Sequence, residues 1–193
     1  MIEDLIKQNR SCRRFYQDHQ VDLEILKGLV NLGRMSASGA NLQPLKYIIS
    51  CDPGQNANIF ACLAWAAYLK DWKGPEAGEQ PSAYIVALGD SKISKDPGCD
   101  HGIASQSILL GAREKGLGGC MIASINRETL RQHLDIPEQY KILLVLAIGK
   151  PKEEIVLESI GPDGNIRYWR DEKEVHHVPK RELAEIIIHS YGA

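Results

Sequence analysis

Three arginines and a serine fall within five residues near the N-terminus of this 193-residue chain, at Arg10, Ser11, Arg13 and Arg14. Guanidinium groups present planar forks of N–H donors that match the oxygens of phosphate and carboxylate groups. The run follows a short apolar helical pattern and ends at Phe15, so it predicts a pocket for an anionic ligand. On charge alone, a solvated basic loop is the alternative interpretation.

A second polar stretch, residues 36–44, reads Ser-Ala-Ser-Gly-Ala-Asn-Leu-Gln-Pro. It combines hydroxyls, carboxamides and small residues in one predicted loop. Pro44 is expected to keep Gln43 extended and to prevent a helix there. Such a loop would allow close approach to a flat, polar ligand.

Familiar catalytic motifs are missing from the chain. It contains no Gly-x-Ser-x-Gly elbow, no P-loop and no His-Glu-x-x-His sequence. The six histidines lack the spacing of metal ligands, so no metal site is predicted. No nucleophile stands with an evident base. An anion pocket without a catalytic set of side chains predicts that a bound cofactor carries the chemistry.

The composition excludes several classes of protein. A net charge of -2 argues against nucleic acid as the main partner. No apolar run approaches the ~20 residues that span a bilayer, and the acidic N-terminus does not resemble a signal peptide. Five cysteines without a Cys-x-x-Cys pair indicate reduced thiols in a cytoplasmic protein. The length fits one domain over residues 1–193.

Strands and helices interleave without regular βα alternation, which favours the α+β class. Periodicity predicts helices over 2–8, 23–34, 56–69, 100–115, 127–134 and 183–188. Strands are predicted over 47–51, 83–88, 120–123, 142–148 and 166–170, the last pairing with 174–178. A turn is expected at 52–54. The long loop at 71–81 is a candidate lid, with Trp72 either over a ligand pocket or packed on the core.

Five stretches in this order and spacing resemble the FMN-dependent nitroreductase family, and the resemblance extends over nearly the whole chain. They are the arginine run that ends in an aromatic residue, the loop that ends in Asn-x-Gln-Pro, Gly116–Cys120 after a helix, Gly149–Pro151 after a strand, and the basic pair Lys180–Arg181. The resemblance implies a nitroreductase-like fold, with a central, mostly antiparallel sheet flanked by helices, in an intertwined homodimer.

The resemblance also implies a site for FMN. Arg10, Ser11 and Arg13 would contact the phosphate, the ribityl chain and the pyrimidine edge of the flavin. Lys180 and Arg181 would reach back to the phosphate. Taken alone, this basic pair is also typical of the start of an amphipathic helix. No side chain is given a catalytic role, because the flavin would carry the chemistry.

Two further groups of residues complete the implied site. Asn41 and Gln43, or Ser38 just before them, would hydrogen-bond the ring or the ribityl chain, with some contacts supplied by the partner subunit because FMN lies in the dimer interface. Gly118 and Gly119 would let the backbone approach the ring, since a side chain there would block it. For these two glycines alone, a turn that ends a helix is the alternative interpretation.

The activity implied is that of an FMN-dependent NAD(P)H oxidoreductase. Hydride from NADH or NADPH would pass through FMN to a small electrophilic acceptor, such as a nitroaromatic or a quinone, by a ping-pong mechanism. Two positions depart from the family pattern: Asn9 stands where another arginine is frequent, and Leu45 where an aromatic residue often follows Gln-Pro. The first weakens one flavin contact, and the second affects substrate shape.

Three other functions remain open at this point. A flavin-binding protein with little turnover would use the same phosphate contacts. A flavoprotein of the same fold could carry out specialised chemistry, such as dehalogenation or fragmentation of the flavin. A scaffold protein without flavin would require all five stretches to be accidental.

Overall fold

A five-stranded antiparallel sheet forms the centre of the computed structural model, which describes residues 1–192. Ala193, the last residue of the predicted domain, lies outside the described residues. The strands are β1 (Phe15–Tyr16), β2 (Leu45–Ser50), β3 (Ala83–Asp90), β4 (Gly118–Ile122) and β5 (Tyr140–Pro151). The predicted α+β class, with an antiparallel sheet flanked by helices, is confirmed.

Strand β5 is the middle of this sheet. Its residues Val145–Ile148 pair with β3 and also with β4, so the two neighbours must lie on opposite edges of the strand. The apolar run over 142–148 predicted a central strand, and a strand buried on both faces requires such a run. The observed strand is longer than predicted and continues to Pro151, where it pairs with Phe15 of β1.

Helices cover both faces of the sheet. They are α1 (Ile2–Gln8), α2 (Leu23–Arg34), α3 (Pro53–Ala61), α4 (Asp100–Glu114), α5 (Arg127–His133) and α6 (Leu183–Ile186). Alternate residues of β3 point to different faces, because the side-chain period of a strand is two. Ile85 packs with the α2 and α4 side chains, whereas Tyr84 and Val86 pack with those of α3 and α5. Among residues 1–192, no helix has the length and apolar character needed to cross a membrane.

A second, three-stranded sheet follows the central strand. It contains β6 (Ile155–Ser159), β7 (Trp169–Arg170) and β8 (His176–Lys180). β6 runs parallel to β8, and β7 runs antiparallel to it. The predicted pairing of 166–170 with 174–178 therefore exists over a shorter stretch, and α6 ends two residues before the predicted boundary at 188.

The prediction of a helix over 56–69 was wrong at both ends. The Asp52 carboxylate accepts a hydrogen bond from the Gln55 backbone N–H at 2.8 Å, and the first helical residue is a proline. The expected turn at 52–54 is thus the capped start of α3. The helix ends early because the chain beyond it pairs with the segment before α5: the Ala64 N–H donates to the Ser124 carbonyl at 3.0 Å.

Trp72, in the predicted lid, packs on the core cluster beneath α3 and α5. The Arg170 guanidinium lies over its ring, with Cζ 4.4 Å from the ring centroid. Trp72 was predicted to lie either over a ligand pocket or on the core, and in the structure it packs on the core. A cation over an aromatic face is stabilising, so this contact fixes loop 71–81 against the second sheet.

Gly118 and Gly119 lie inside β4, which excludes the simple helix-ending turn. A Cβ atom on Gly119 would stand 2.2 Å from the Ala147 carbonyl oxygen of β5. Glycine is therefore required at this position by the protein's own sheet.

We predict that Gly119→Ala lowers the free energy of unfolding by about 1–3 kcal/mol, because the neighbouring strand must move to admit the methyl group. Gly28→Ala, at an exposed helical position with open space around it, is the matched control. It should stabilise by about 0.5–1 kcal/mol. Urea denaturation measures both, and a Gly119→Ala protein as stable as the parent would contradict the tight approach of the two strands.

Candidate functional site

A cavity of ≈ 370 Å³ lies where the end of α1 meets α4, β4 and β8. Five of the predicted site residues line it: Arg10, Ser11, Arg13, Gly119 and Lys180. Asn9, where the family frequently has an arginine, also lines the cavity, and residues that the sequence did not suggest for a site complete the wall, namely Gln106, Leu109, Met121, Tyr168, His176 and Val178. The structure thus brings both ends of the chain to one cavity.

The arginine run is held along β4 by its backbone. Ser11 forms a parallel bridge with Gly119, and the Cys12 N–H donates to the Gly119 carbonyl at 3.0 Å. The Arg10 side chain turns back to the end of α1, where it donates to the carbonyls of Ile6 at 2.8 Å and Asn9 at 2.7 Å. The run is therefore neither helix nor free loop, and Arg10 also caps the helix before it.

The charge around this cavity is unbalanced. Arg10, Arg13 and Lys180 line it, and none of the described lining residues is an aspartate or a glutamate. Within residues 1–192, these three cations form no ion pair with a carboxylate. A solvated basic loop would not gather cations from residues 10 and 180 around one concavity. Such an arrangement of cations suits an anionic ligand.

Arg14, the third arginine of the run, has a structural role instead. Its guanidinium donates to both carboxylate oxygens of Glu79, at 2.5 and 2.8 Å, and pairs with Glu174 at 2.5 Å. Hydrogen bonds from Arg14 lower the pKa of Glu79 to about 2. Glu79 also accepts from Lys152 at 2.8 Å. This network joins the run to loop 71–81 and to the second sheet.

Glu153, which the sequence did not single out, lies beneath the run with its side chain fully buried. One carboxylate oxygen accepts the backbone N–H groups of Arg13 and Arg14, the latter at 3.3 Å. The other oxygen accepts from the Arg170 guanidinium at 3.0 Å. A buried carboxylate is stable only with such partners. In the sequence, Glu153 is visible only as one of two adjacent glutamates after Gly149–Pro151. Such a pair is common on solvated surfaces, so it did not indicate a buried carboxylate.

Tyr168 and His176 form one wall of the cavity. The Tyr168 ring centroid lies 4.9 Å from Cζ of Arg13, and the His176 ring stacks at a tilt 5.2 Å from the same tyrosine. His176 is 1% exposed, and its Nε2 lies 3.4 Å from the guanidinium of Arg13. Burial, with Arg13 and Arg170 nearby, lowers the pKa of His176 to about 4. At neutral pH the ring is uncharged, and its buried Nδ1 has no partner among residues 1–192.

The polar loop at 36–44 lies elsewhere. Ser38 and Gln43 line a second cavity of ≈ 390 Å³, which shares none of its described lining residues with the first. Asn41 is exposed. The structure of one chain therefore brings the arginine run together with Lys180, and it does not bring the polar loop to them.

Backbone conformation in this loop is strained. Ala40, Asn41 and Gln43 have φ values of 47°, 55° and 54°, in the left-handed region that side chains disfavour. Such residues cost about 1–3 kcal/mol each and persist where their surroundings hold them. The expectation that Pro44 keeps Gln43 extended was wrong, because the Gln43 N–H is held instead by the Ser38 hydroxyl at 2.9 Å.

The remaining predicted residues lie beside the first cavity. Gly118 packs against Pro151, where an added Cβ would stand 2.8 Å from Cγ of the proline. Arg181 is exposed, and its guanidinium lies 3.4 Å from Glu185 on α6. Neither residue lines the cavity.

The sequence model of the Nitroreductase family matches residues 6–150. This chain belongs to that family. It is 31% identical over 159 residues to a provisionally named NADH dehydrogenase/NAD(P)H nitroreductase of Methanothermobacter thermautotrophicus, covering 79% of this chain and 78% of the relative. A protein of Archaeoglobus fulgidus with the same provisional name is 29% identical over 163 residues, covering 79% of this chain and 88% of the relative.

The fold also matches a solved structure. The crystal structure of a provisionally assigned nitroreductase from Desulfovibrio desulfuricans, in complex with FMN, superposes with a TM-score of 0.71. The match covers 100% of this chain and 98% of the other, at 22% identity. With the family match, this likeness confirms the nitroreductase-like fold that the five stretches predicted.

We predict that Glu153→Ala lowers the free energy of unfolding by about 3–5 kcal/mol, because it leaves two backbone N–H groups and the Arg170 guanidinium without their buried partner. Glu172→Ala removes an exposed glutamate nearby and should change stability by less than about 0.5 kcal/mol. Chemical denaturation with both variants measures the difference. Equal stability of the two variants would show that Glu153 does not tether the run.

Proposed function

We propose that this chain is an FMN-dependent oxidoreductase that reduces a small electrophilic acceptor at the expense of NADH or NADPH. The observation that carries the proposal is the first cavity, where Arg10, Arg13 and Lys180 converge and none of the described lining residues is acidic. A phosphate monoester is the ligand group that three such cations best satisfy. Family membership supports an oxidoreductase, and the FMN in the D. desulfuricans structure supports the choice of cofactor.

The residues present fit the phosphate end of FMN. Arg10, Arg13 and Lys180 would bind the phosphate, with Ser11 as a further hydrogen-bonding group and Arg181 adding positive charge nearby. Among residues 1–192, the Arg13 side chain contacts a backbone carbonyl, the neutral His176 and an aromatic face but no carboxylate, so it can turn toward an anion without breaking an ion pair. When bound, FMN supplies the redox chemistry, in which hydride from the nicotinamide reaches the acceptor in two half-reactions of a ping-pong mechanism.

A homodimer is part of the proposal. Ser38, Asn41 and Gln43 lie outside the first cavity of their own chain, so in this proposal a second copy brings them to the flavin. Large apolar side chains that are exposed on this chain support such an association: Ile2 and Ile6 on α1, and Leu183, Ile186 and Ile188 at the C-terminal end. The five reduced cysteines agree with the cytoplasm as the place of action.

The purified protein is expected to have a flavin absorption spectrum that bleaches on anaerobic addition of NADH or NADPH. If the spectrum does not bleach after NADH or NADPH is added, the protein binds flavin but the nicotinamide does not reduce it. That result would overturn the proposed reductase activity. A colourless protein that takes up no added FMN would overturn all of it.

Lys180→Ala is the sharpest test of the phosphate contact, because Arg10 also caps α1 and its loss would disturb the fold. We expect FMN binding to weaken by about 1.5–3 kcal/mol, the range for a hydrogen bond to a charged group. Riboflavin, which lacks the phosphate, should bind both proteins equally. Lys95→Ala, at an exposed position outside both cavities, is the matched control. An equal loss of riboflavin affinity would contradict the phosphate assignment.

A further inference from the structure

Asp100, the first residue of α4, lies behind the polar loop at 36–44 and is 6% exposed. Its Oδ2 accepts the Ser38 hydroxyl at 2.6 Å, and its Oδ1 accepts the Gly39 N–H at 2.9 Å. The Ser38 hydroxyl in turn accepts the Gln43 N–H at 2.9 Å. One buried carboxylate therefore holds Gly39 directly and Gln43 through the Ser38 hydroxyl.

This relay holds the part of the loop that is least stable by itself. The left-handed residues Ala40, Asn41 and Gln43 all lie between or at the points that the relay fixes. None of them is glycine, so their conformation must be held by contacts such as the hydrogen bonds of this relay. Gln43 is also tied to the loop by its own side chain, which donates to the Asn41 carbonyl at 3.1 Å. The loop presents the Asn41 and Gln43 side chains on the exposed surface of the chain.

We propose that Asp100 is a positioning residue for flavin binding, which holds Asn41 and Gln43 in the arrangement that contacts the ring end of the cofactor. The inference rests on the proposed function. It adds a residue that contacts no cofactor and acts through Ser38. Because the relay serves the ring end and Lys180 the phosphate end, the two residues have distinguishable effects on FMN and riboflavin.

The test compares dissociation constants for FMN and riboflavin in the full-length protein, measured by quenching of flavin fluorescence. Asp100→Ala should raise both constants tenfold or more and by the same factor. Ser38→Ala, which cuts the relay to Gln43 but keeps the Gly39 contact, should raise both by a smaller factor. Ser38→Thr keeps the hydroxyl and should bind both flavins more tightly than Ser38→Ala does.

Asp52→Ala is the matched control, since Asp52 also accepts a backbone N–H, at the start of α3, and lies outside both cavities. It should lower the melting temperature and leave both dissociation constants within twofold of the parent. Folded Asp100→Ala and Ser38→Ala proteins that bind both flavins like the parent would overturn the inference. If Asp100→Ala does not fold, the nearly isosteric Asp100→Asn, whose side-chain nitrogen cannot accept the second hydrogen bond, is compared with the parent in the same way, and unchanged dissociation constants for both flavins overturn the inference. If the parent protein binds neither FMN nor riboflavin, the proposed function itself is wrong, and the positioning role of Asp100 is overturned with it.

Discussion

The buried carboxylate of Glu153 joins parts of the chain that are 140 residues apart in sequence, and the first cavity depends on it. It accepts hydrogen bonds from the backbone N–H groups of Arg13 and Arg14, and these bonds fix the backbone from which the two arginine side chains extend. It also holds Arg170, whose guanidinium covers Trp72. The carboxylate is thus placed behind the run, where it pairs with Arg170 and does not line the cavity.

The same separation of charge explains why neighbouring arginines have different roles. Arg14 points toward Glu79 and Glu174 and forms ion pairs with both, so its role is structural. Arg13 points the other way, toward an aromatic ring and a histidine that is neutral at pH 7. A neutral neighbour preserves the positive potential of the cavity, whereas a carboxylate would cancel it.

The sequence predicted the elements whose signals are local. The apolar run over 142–148 gave the central strand, and Asp22 and Gly116 marked helix ends close to where they lie. α3 was misplaced because alanine-rich residues beyond Ala61 favour a helix, while tertiary pairing with the segment at 124–125 takes them out of it. Tyr168, His176 and Glu153 could not be assigned to the site, because their roles arise only when the second sheet folds back on the arginine run.

Asp100 could not be assigned to the site from the sequence for a different reason. Its position at the start of a helix is a common place for an aspartate, and a favourable interaction with the helix dipole is enough to explain it there. Nothing local indicates that the carboxylate also reaches a loop 62 residues earlier.

The five family-like stretches were readable because each is contiguous. The contacts beneath them, from Glu153 and Asp100, join residues far apart in the chain. In the proposed function, Glu153 would lie under the residues that bind the phosphate and Asp100 under those that contact the ring. In the proposed dimer these two groups of residues would meet only across two subunits, so that each chain would build the support for half of every site.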